Sequence, residues 1–444
     1  MTFLRENIAE LPFSSTLFFP LSADPIGFNH FAAAEATLRA NPELESVVFI
    51  PSNGFHPDPT KPDPRISAQE RLEVMLTALE ALFDPSYSHL ARLAEAAGDS
   101  LYISSDRIHV WPHELSFSRA VRSRELVEHI RAGRPEDSAP LNWFAGSDLV
   151  VRMAEPEIFA SDDMNYLVNA CTFQLLERVP DSPTKAVQTL FQKRGVELSH
   201  EITPVGSLPG WLNPFLSLSS TLIRHAAHTG DPLGAMLPLP AAEKVVQSAW
   251  YREDPEIKAS LNARVQFLQQ ELESEATVLA KLLMTRQEEG APHRLAVAEA
   301  SVGGWLTLPL AGRSGASKYF AQSRFVYDKT AKVSLLAERK VSGGSAVTEE
   351  MAVALAESIQ SQAEVDYGLA ETGMAGPPDG QRRSMKSGVC FIALATPDRT
   401  ISDSVELNPF LTRKEHQVGF ALAALKLVRA YLESLSKNHS ESKG

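Results

Sequence analysis

The sequence predicts an α/β protein made of an N-terminal Rossmann-like domain with a parallel sheet and a smaller C-terminal α/β domain. Three observations predict this class. Strand and helix patterns alternate through the first 255 residues, which is typical of a parallel sheet. A new strand–turn–helix pattern begins near residue 295. The 444 residues are enough for two or three domains, each with its own core.

The elements of the first domain follow from its apolar patterning. Runs of apolar, β-branched and aromatic residues predict strands at 16–21, 46–50, 142–145 and 172–176. Apolar residues at helical spacing predict helices at 30–39 and 68–83, and Ser67 and Glu70 form a capping-box pattern before the second of them. Ligands of open parallel sheets bind beyond the carboxyl ends of the strands, so we expect functional residues in the segments that follow them.

A polar segment separates these elements from a second set. Residues 256–284 have apolar residues at helical spacing, and residues 286–293 contain Gly and Pro. We therefore predict a first domain at 1–255, a connecting helix and linker at 256–290, a second domain at 291–435 and a disordered polar tail at 436–444. The second domain is predicted to have strands at 295–298, 367–370 and 388–396 and helices at 305–310 and 412–432.

Charge and composition argue against several classes of function. Lys and Arg number 42 against 55 Asp and Glu, a net charge of −13, so we expect no nucleic-acid partner, and an anionic ligand would need a local site. No run of 18 apolar residues predicts a membrane span, and residues 1–12 lack the apolar core of a secretory signal. Cys171 and Cys390 fit neither a disulfide framework nor a zinc pattern, so we expect no metal ligands and a reducing, cytoplasmic location.

Two segments of the first domain have side chains suited to phosphate. His30 stands at a predicted helix start, where an imidazole beside the helix dipole can contact a phosphate, although a capping or surface role is the more common one. Residues 218–224 (LSSTLIR) place three hydroxyls at a helix start and Arg224 one turn later. They can bind a polyphosphate, or they can be a serine cap followed by a solvated arginine.

These segments resemble motifs of the nicotinamide/nicotinate mononucleotide adenylyltransferases of the nucleotidyltransferase superfamily. Residues 21–30 (LSADPIGFNH) are similar to the family pattern GxFxPxHxxH, and residues 218–224 to ISSTxIR, with further similarity at 47–51, 70–72 and 146–148. The resemblance covers most of 14–255. Two positions depart from it: Leu21 replaces the opening glycine, and Gly27 replaces the first histidine.

The resemblance implies transfer of AMP from ATP to a mononucleotide, with Mg²⁺ expected. It implies that His30 stabilises charge on the ATP phosphates and that Asp148 lies near the nucleoside. The remaining nucleotide-binding residues that it implies are Ser22, Asp24, Ser219, Ser220, Thr221 and Arg224. A leucine where the backbone must approach phosphate is a steric objection, so the resemblance predicts the fold more directly than the activity.

Three segments of the second domain could also carry chemistry. Gly303 and Gly304 follow a predicted strand and would let a ligand approach the backbone, although such turns are commoner without ligands. Residues 372–380 (TGMAGPPDG) could form an anion-binding nest or a flexible loop. A lysine such as Lys332 could activate a serine such as Ser317 if burial kept it neutral, but their spacing of 15 positions carries no signal alone.

Taken together, these segments resemble the CinA C-terminal family, the nicotinamide-nucleotide amidases. The family patterns AESxTGG, GAS, YSNEAK, TGIAGP and VGTV are matched in order at 298–304, 315–317, 327–332, 372–377 and 387–389. The resemblance implies that Ser317 is the nucleophile and Lys332 its base. It also implies a nucleotide pocket formed by Glu299, Ser301, Gly303, Gly304, Tyr327, Thr372, Gly373 and Gly376. Ala300, Val302 and Lys329 depart from the patterns, which puts the substrate in more doubt than the reaction.

The two resemblances point to adjacent steps on one small molecule. The first hypothesis is a bifunctional enzyme of NAD salvage that deamidates nicotinamide mononucleotide and adenylylates the mononucleotide with ATP. The second keeps one domain active and makes the other a structural or nucleotide-sensing module. The third is a non-catalytic nucleotide-binding protein. The predicted partners are small molecules and, as one option for the assembly, further copies of the chain.

Overall fold

In a computed structural model the protein forms two compact units, Met1–Asp254 and Pro255–Gly444. The structure describes residues 3–8, 10–55, 64–146, 160–176, 200–203, 208–336, 346–376 and 387–441, with only the backbone described at 200–203 and 436–441. Within these residues no helix is long and apolar enough to cross a membrane. Asp148 lies outside the described residues.

The first unit is built on a six-stranded sheet in which every neighbouring pair is parallel. The strands are β1 Thr16–Leu21, β2 Ser46–Pro51, β3 Ile108–Val110, β4 Leu141–Ala145, β5 Cys171–Leu176 and β6 His200–Thr203. Their order is β3-β2-β1-β4-β5-β6, which is the doubly wound order. Successive strands are added toward one edge of the sheet as far as β3 and toward the other edge from β4 on, so the switch point lies between β1 and β4. The predicted Rossmann-like class is confirmed.

Helices of the first unit flank the strands. They are α1 Phe28–Ala40, α2 Ala68–Ala81, α3 His89–Ala96, α4 Ser123–Ala132, α5 Ser161–Ala170, α6 Asn213–Leu216, α7 Ser220–Thr229 and α8 Leu239–Ser248. The Ser67 hydroxyl accepts from the Glu70 N–H and the Glu70 carboxylate from the Ser67 N–H, so the predicted capping box begins α2. Gly230, at φ +77°, ends α7 in the left-handed conformation that glycine favours.

The second unit has a mixed five-stranded sheet. Its strands are β7 Leu295–Glu299, β8 Phe320–Phe325, β9 Tyr367–Gly373, β10 Val389–Ala395 and β11 Thr400–Glu406, in the order β11-β10-β9-β7-β8. The three strands β8, β7 and β9 are parallel, whereas β10 and β11 run antiparallel to their neighbours. The helices are α9 Pro255–Glu288, α10 Thr307–Ala311, α11 Lys329–Leu336, α12 Glu349–Ala363 and α13 Arg413–Glu441. The predicted α/β class of this region is confirmed.

The long helix α9 belongs to the core of the second unit. Leu272, Leu279 and Leu283 of α9 pack in one buried cluster with Val297 of β7 and Leu425 of α13. The apolar spacing that predicts a connecting helix is thus the stripe that packs against the sheet. The helix is therefore an integral layer of this unit and not a separate linker.

The last helix extends further than the sequence pattern predicts. Residues 436–444 are polar, which predicts disorder, yet the backbone of α13 is helical as far as Glu441. The apolar residues of α13 pack into the core and nucleate the helix, and each added residue then costs little. The helix therefore continues past the last apolar residues and into the polar segment.

Candidate functional sites

In the first unit, the loop after β1 contacts the start of α7 beside the point where the strand order reverses. The Arg224 guanidinium donates to the Asp24 carbonyl oxygen at 2.5 Å and to Thr221 Oγ1 at 3.1 Å. The Ser220 hydroxyl donates to the Pro25 carbonyl oxygen at 3.0 Å, and Ser219 caps α7 by accepting from the Leu222 N–H. The structure therefore brings the two resembling segments together.

Asp24 is almost fully buried in this loop. Its carboxylate accepts from the Tyr251 hydroxyl at 2.9 Å and from the Arg65 N–H at 3.1 Å, and Arg224 NH1 lies 3.7 Å away. Burial, with the Asp24 charge second, raises the pKa of Tyr251 far above its usual range. Tyr251 lies in a turn after α8, 227 positions from Asp24, so no local pattern in the sequence indicates this contact.

Arg71 holds the same loop from the other side. Its side chain is 1% exposed and donates to the carbonyl oxygens of Ser22 and Ile66. Burial lowers the pKa of Arg71, while the Asp24 charge opposes that shift. A buried guanidinium with carbonyl partners fixes the backbone of Ser22 and so shapes the end of β1.

The structure explains why Gly27 stands where the adenylyltransferase pattern has its first histidine, close to His30. The Gly27 N–H donates to His30 Nδ1 at 3.2 Å, which orients the ring at the start of α1. A Cβ at Gly27 would lie 2.3 Å from Ile223 Cδ1 and 3.1 Å from the Met236 carbonyl oxygen. The space that the family pattern gives to its first histidine is therefore filled by α7 and the loop that follows it.

In the second unit, two carboxylates lie side by side at the carboxyl ends of β7 and β9. Glu299 and Glu371 are level in the parallel register and both are buried. The Glu371 carboxylate accepts from the N–H groups of Ala300, Ser301 and Val302 at 2.6, 2.7 and 3.2 Å, and from the Ser301 hydroxyl. A run of successive N–H groups is a typical anion site, and here the anion is the chain's own side chain.

Glu299 holds the turn that contains the two adjacent glycines. Its carboxylate accepts from the Thr307 N–H at 2.6 Å, from the Thr307 hydroxyl and from the Gly304 N–H. Gly303 and Gly304 have φ values of +65° and +101°, which explains why glycines stand there. Burial raises the pKa of Glu299, with the neighbouring Glu371 adding to the shift.

Lys332 extends from α11 to Thr372 of β9, at the same end of the sheet. Its side chain is 6% exposed, and Nζ donates to Thr372 Oγ1 at 3.1 Å and to the Ala346 carbonyl oxygen at 3.2 Å. The Thr372 hydroxyl in turn donates to the Ala346 oxygen at 2.7 Å. The amine is therefore fixed by two oxygen acceptors at the end of the sheet where ligands of parallel strands bind.

Ser317 lies at the opposite end of the sheet. It is exposed in a short 3-10 turn, Ala316–Lys318, just before β8, where the Leu295 N–H donates to the Tyr319 carbonyl oxygen at 2.7 Å. Tyr367 is level with Leu295 at this end, and the strand then runs on to Thr372 beside Lys332. Thr372 is five residues beyond Tyr367 in β9, so at about 3.3 Å per residue the two ends of the sheet are separated by roughly 16 Å.

The predicted Ser317–Lys332 dyad is therefore not assembled within one copy of the chain. The physical reason is that β8 runs the length of the sheet between the two residues. The Lys332 amine instead contacts the hydroxyl of Thr372, which is fully buried and donates to the Ala346 carbonyl oxygen.

Of segment 372–380, for which the sequence leaves open an anion nest or a flexible loop, the structure describes residues 372–376. Neither Gly373 nor Gly376 has a positive φ. A Cβ at Gly373 would lie 2.9 Å from Cys390 Cβ and from Phe420, and one at Gly376 would lie 2.9 Å from Arg413 NH1. Their role in the described part of this loop is to allow close packing; residues 377–380 lie outside it.

Arg413, at the start of α13, is a cation that sequence reasoning missed. Its guanidinium donates to the Tyr327 hydroxyl at 2.5 Å and lies against Gly376, and both side chains are exposed. Tyr327 and Gly376 belong to the resembling segments, so Arg413 could have been sought only through a contact that joins residues 86 positions apart. An exposed arginine beside this loop is suited to a phosphate group.

Comparison with known proteins matches the second unit to a family. Residues 274–432 match the family model of the CinA C-terminal domain, which confirms the resemblance of this region. A CinA-like protein of Flavobacterium psychrophilum is 30% identical over 220 residues, 47% of this chain and 50% of that protein. A CinA-like protein of Desulfosudis oleivorans is 35% identical over 140 residues, 31% of this chain and 33% of that protein. The matches thus span a third to a half of the relatives' length.

Solved structures similar to part of the chain include a CinA superfamily protein and a mononucleotide adenylyltransferase. A CinA superfamily protein from Klebsiella pneumoniae is 20% identical, covers 37% of this chain and 98% of that one, and has a TM-score of 0.34. The Plasmodium falciparum nicotinic acid mononucleotide adenylyltransferase complexed with NaAD is 14% identical, covers 54% of this chain and 98% of that one, and has a TM-score of 0.38.

Proposed function

We propose that the chain acts on pyridine nucleotides and that its second unit deamidates nicotinamide mononucleotide to nicotinate mononucleotide. The observation that carries this proposal is the buried amine of Lys332, fixed by Thr372 and Ala346 at the carboxyl ends of β7 and β9. It lies inside the segment that matches the CinA C-terminal domain, 274–432. The ordered motifs of the nicotinamide-nucleotide amidases fall in the same segment.

The proposed reaction is hydrolysis of a carboxamide through an ester intermediate. The Ser317 hydroxyl oxygen attacks the carboxamide carbon while its proton passes to the Lys332 amine, so the active state must bring together two side chains that lie at opposite ends of β8 within one copy. That proton then goes to the departing nitrogen, which leaves as ammonia. Water attacks the resulting ester, the product carboxylate is released, and Ser317 regains its proton. Arg413 and Tyr327, which are exposed and hydrogen-bonded to each other, are suited to hold the phosphate of the mononucleotide.

Two lysines of the second unit test this proposal. Lys332→Met keeps the apolar stem of the side chain and removes the amine, so ammonia release from nicotinamide mononucleotide should fall by about 100-fold or more. Lys281→Met removes an exposed amine of α9 and should leave the rate within about twofold. Equal rates in the two variants would contradict the role of Lys332.

A second candidate function concerns the first unit. We infer that it transfers AMP from ATP to a mononucleotide: a phosphate oxygen attacks the α-phosphorus and pyrophosphate leaves. The supporting observation is that Ser220, Thr221 and Arg224 lie against the loop that leads to His30. The Mg²⁺ expected for this reaction would neutralise charge on the triphosphate of ATP.

Release of pyrophosphate from a mixture of ATP and nicotinate mononucleotide distinguishes an active AMP transferase from a nucleotide-sensing unit. Ser220 and Arg224 already donate to backbone oxygens of the β1–α1 loop, which favours a nucleotide-sensing unit if that loop does not rearrange. An active transferase should lose pyrophosphate release in Arg224→Gln and keep it in Arg122→Gln, whose side chain is exposed. Absence of pyrophosphate together with a thermal shift on adding ATP would support sensing instead.

A further inference from the structure

A buried histidine of α13 has a carbonyl oxygen at each of its two ring nitrogens. His416 lies in the first turn of α13 and is fully buried. Its Nδ1 lies 2.9 Å from the Ala375 carbonyl oxygen, and its Nε2 lies 2.9 Å from the Asn408 carbonyl oxygen. Both distances are those of hydrogen bonds in which a nitrogen donates to an oxygen.

These two contacts determine how many hydrogens the ring carries. A carbonyl oxygen can only accept a hydrogen bond, whereas a neutral imidazole has one N–H group and one nitrogen that is itself an acceptor. A neutral His416 would therefore direct a lone pair at a carbonyl oxygen 2.9 Å away. The imidazolium, in which both nitrogens donate, satisfies both contacts.

The groups packed on the ring favour the same charge and fix its position. The Phe420 ring is stacked on that of His416, with 5.7 Å between the centroids and 15° between the planes, which suits a cation over an aromatic face. Gly388 has a φ of +86°, and a Cβ there would lie 3.1 Å from His416 Nε2 and 2.6 Å from the Leu407 carbonyl oxygen. Backbone therefore packs closely against the ring and keeps it between its two acceptors.

The titratable groups on the surrounding elements do not oppose a positive charge. Glu415 precedes the histidine in α13, and its carboxylate lies 2.8 Å from Arg264 Nε of α9. Burial, with the Glu371 charge second, raises the pKa of the Cys390 thiol of β10 well above its usual range, so this group is neutral. Segments 374–376 and 407–408, which face the ring, contain no titratable side chain. The cation on α9 is thus paired with a carboxylate.

The two carbonyl contacts also fix the surroundings of Arg413. Ala375 precedes Gly376, where a Cβ would lie 2.9 Å from Arg413 NH1. Asn408 belongs to the segment that leads into α13, and Arg413 is the first residue of that helix. The guanidinium is exposed, so solvent screens its charge from the buried ring. His416 therefore ties the loop after β9 to the segment that carries Arg413.

We propose that His416 is an imidazolium at neutral pH and is a positioning residue for the phosphate site at Arg413. Its two N–H groups hold the Ala375 and Asn408 carbonyl oxygens, and the loop at Gly376 then keeps the guanidinium in place for a phosphate group. The phosphate part of this inference rests on the proposed deamidase function, in which the mononucleotide supplies that phosphate. Loss of one ring proton would release one of the two segments and weaken mononucleotide binding without changing the attack on the carboxamide.

Nitrogen-15 NMR of the full chain, labelled at histidine, tests the charge of the ring. We expect His416 to carry a hydrogen on both ring nitrogens at about pH 7.5, where the histidines of the urea-unfolded chain are mostly neutral. His416→Gln identifies the signal by its loss, and the contact with Phe420 identifies it in the wild type if that variant does not fold. A folded chain in which one nitrogen of His416 has no hydrogen at this pH would overturn the proposal.

Calorimetry with nicotinamide mononucleotide tests the positioning role. An amide has both of its N–H groups on one nitrogen and cannot reach oxygens on opposite sides of a ring, so His416→Gln should weaken binding by about tenfold. In the assay of ammonia release, KM should rise by a similar factor while kcat stays within about twofold. His293→Gln, just before β7 at the other end of the sheet, is the matched control and should change neither value by more than about twofold.

A double variant and a pH series separate positioning from a general loss of structure. Arg413→Gln should weaken binding as much as His416→Gln does, and the two together should weaken it by less than the product of the single effects, because they act on one site. Wild-type binding should weaken at the pH where NMR shows loss of a ring proton, and binding by His416→Gln should not change there. Independent effects of the two variants, or a lower kcat with an unchanged KM, would overturn the positioning role.

The same measurements distinguish failure of this inference from failure of the proposed function. A chain that binds nicotinamide mononucleotide through Arg413 and His416 but releases no ammonia would refute deamidation and leave the positioning role intact. A chain that releases ammonia with the same KM in His416→Gln as in the wild type would refute the positioning role and leave deamidation intact. A wild-type chain that does not bind the mononucleotide would refute both.

Discussion

Among individual residues, Glu371 has the clearest structural role. Its buried carboxylate accepts from three successive N–H groups and a hydroxyl of the turn after β7, and so fixes the backbone next to Gly303 and Gly304. Each of these donors would be buried without a partner if the carboxylate were absent. The turn that precedes the glycine pair is therefore held by a group on the neighbouring strand.

Replacement of Glu371 should measure this contribution. Glu371→Gln puts a donor where an acceptor is needed, and we expect the free energy of unfolding of the second unit to fall by about 2–3 kcal/mol. Glu289→Gln, at an exposed position just beyond α9, should change it by less than about 0.5 kcal/mol. Urea unfolding of both variants checks the prediction, and equal midpoints would argue against the buried network.

His109 should make the first unit sensitive to acid. Burial on β3, with the Arg5 charge second, lowers the pKa of His109 to about 4, whereas the unfolded chain would titrate near 6.5. The unfolded state therefore binds more protons between these values, so stability is full above pH 6.5 and falls as the pH drops toward 4. His109→Gln should flatten the dependence of the urea midpoint on pH across this window; an unchanged slope would refute it.

Some of these side chains could be predicted from the sequence and others could not. His30, Thr221 and Arg224 stand in short segments whose spacing fits a helix start, so their suitability for a phosphate can be predicted from neighbouring residues in the sequence. Tyr251, Arg71 and Glu371 act through contacts that span 49 to 227 positions, and nothing local indicates them. The distance between Ser317 and Lys332 could not be predicted for the same reason, because sequence motifs give order along the chain and not position along a strand.

Among the secondary-structure elements, α9 and β8 change the interpretation most. Apolar periodicity predicts α9 as a helix but cannot say which domain its stripe packs against, and the packing places it in the second unit. Short or partly polar strands such as β3 and β11 lack the apolar pattern on which strand prediction depends, and the sequence analysis missed them.

Two adjacent residues of α9 test its place in the core. Leu279 is fully buried, whereas Val278 is 38% exposed. Leu279→Ala should lower the free energy of unfolding of the second unit by about 3 kcal/mol, because the cavity it leaves adds to the lost burial, and Val278→Ala should cost less than about 1 kcal/mol. Similar losses for the two variants would mean that α9 acts as a linker.

The contact between the β1–α1 loop and α7 predicts the effect of a side chain at Gly27. Gly27→Ala would place a Cβ 2.3 Å from Ile223 Cδ1, so we expect a loss of about 1–3 kcal/mol in the stability of the first unit. Gly210→Ala is the control, since its Cβ would meet no atom within 4 Å. A stable Gly27→Ala protein would show that the loop can move and would favour the transferase over the sensing function.

For the whole molecule, the two units offer chemically related sites. The first has the doubly wound parallel sheet with hydroxyls and arginines at its switch point, and the second has a buried amine and paired carboxylates at the end of a mixed sheet. The proposed ligands of both sites are phosphorylated nucleotides, and a local site does not require a strongly basic surface. The net charge of −13 is therefore compatible with local anion sites.

Deamidation by the second unit is tested by measuring the ammonia and nicotinate mononucleotide that the chain forms from nicotinamide mononucleotide. The full chain is incubated with nicotinamide mononucleotide in the absence of ATP, and ammonia and nicotinate mononucleotide are both quantified. We expect equal amounts of the two products from the wild-type chain and neither from Ser317→Ala. Product formation that survives Ser317→Ala, or a wild-type chain that leaves nicotinamide mononucleotide unchanged, would contradict it.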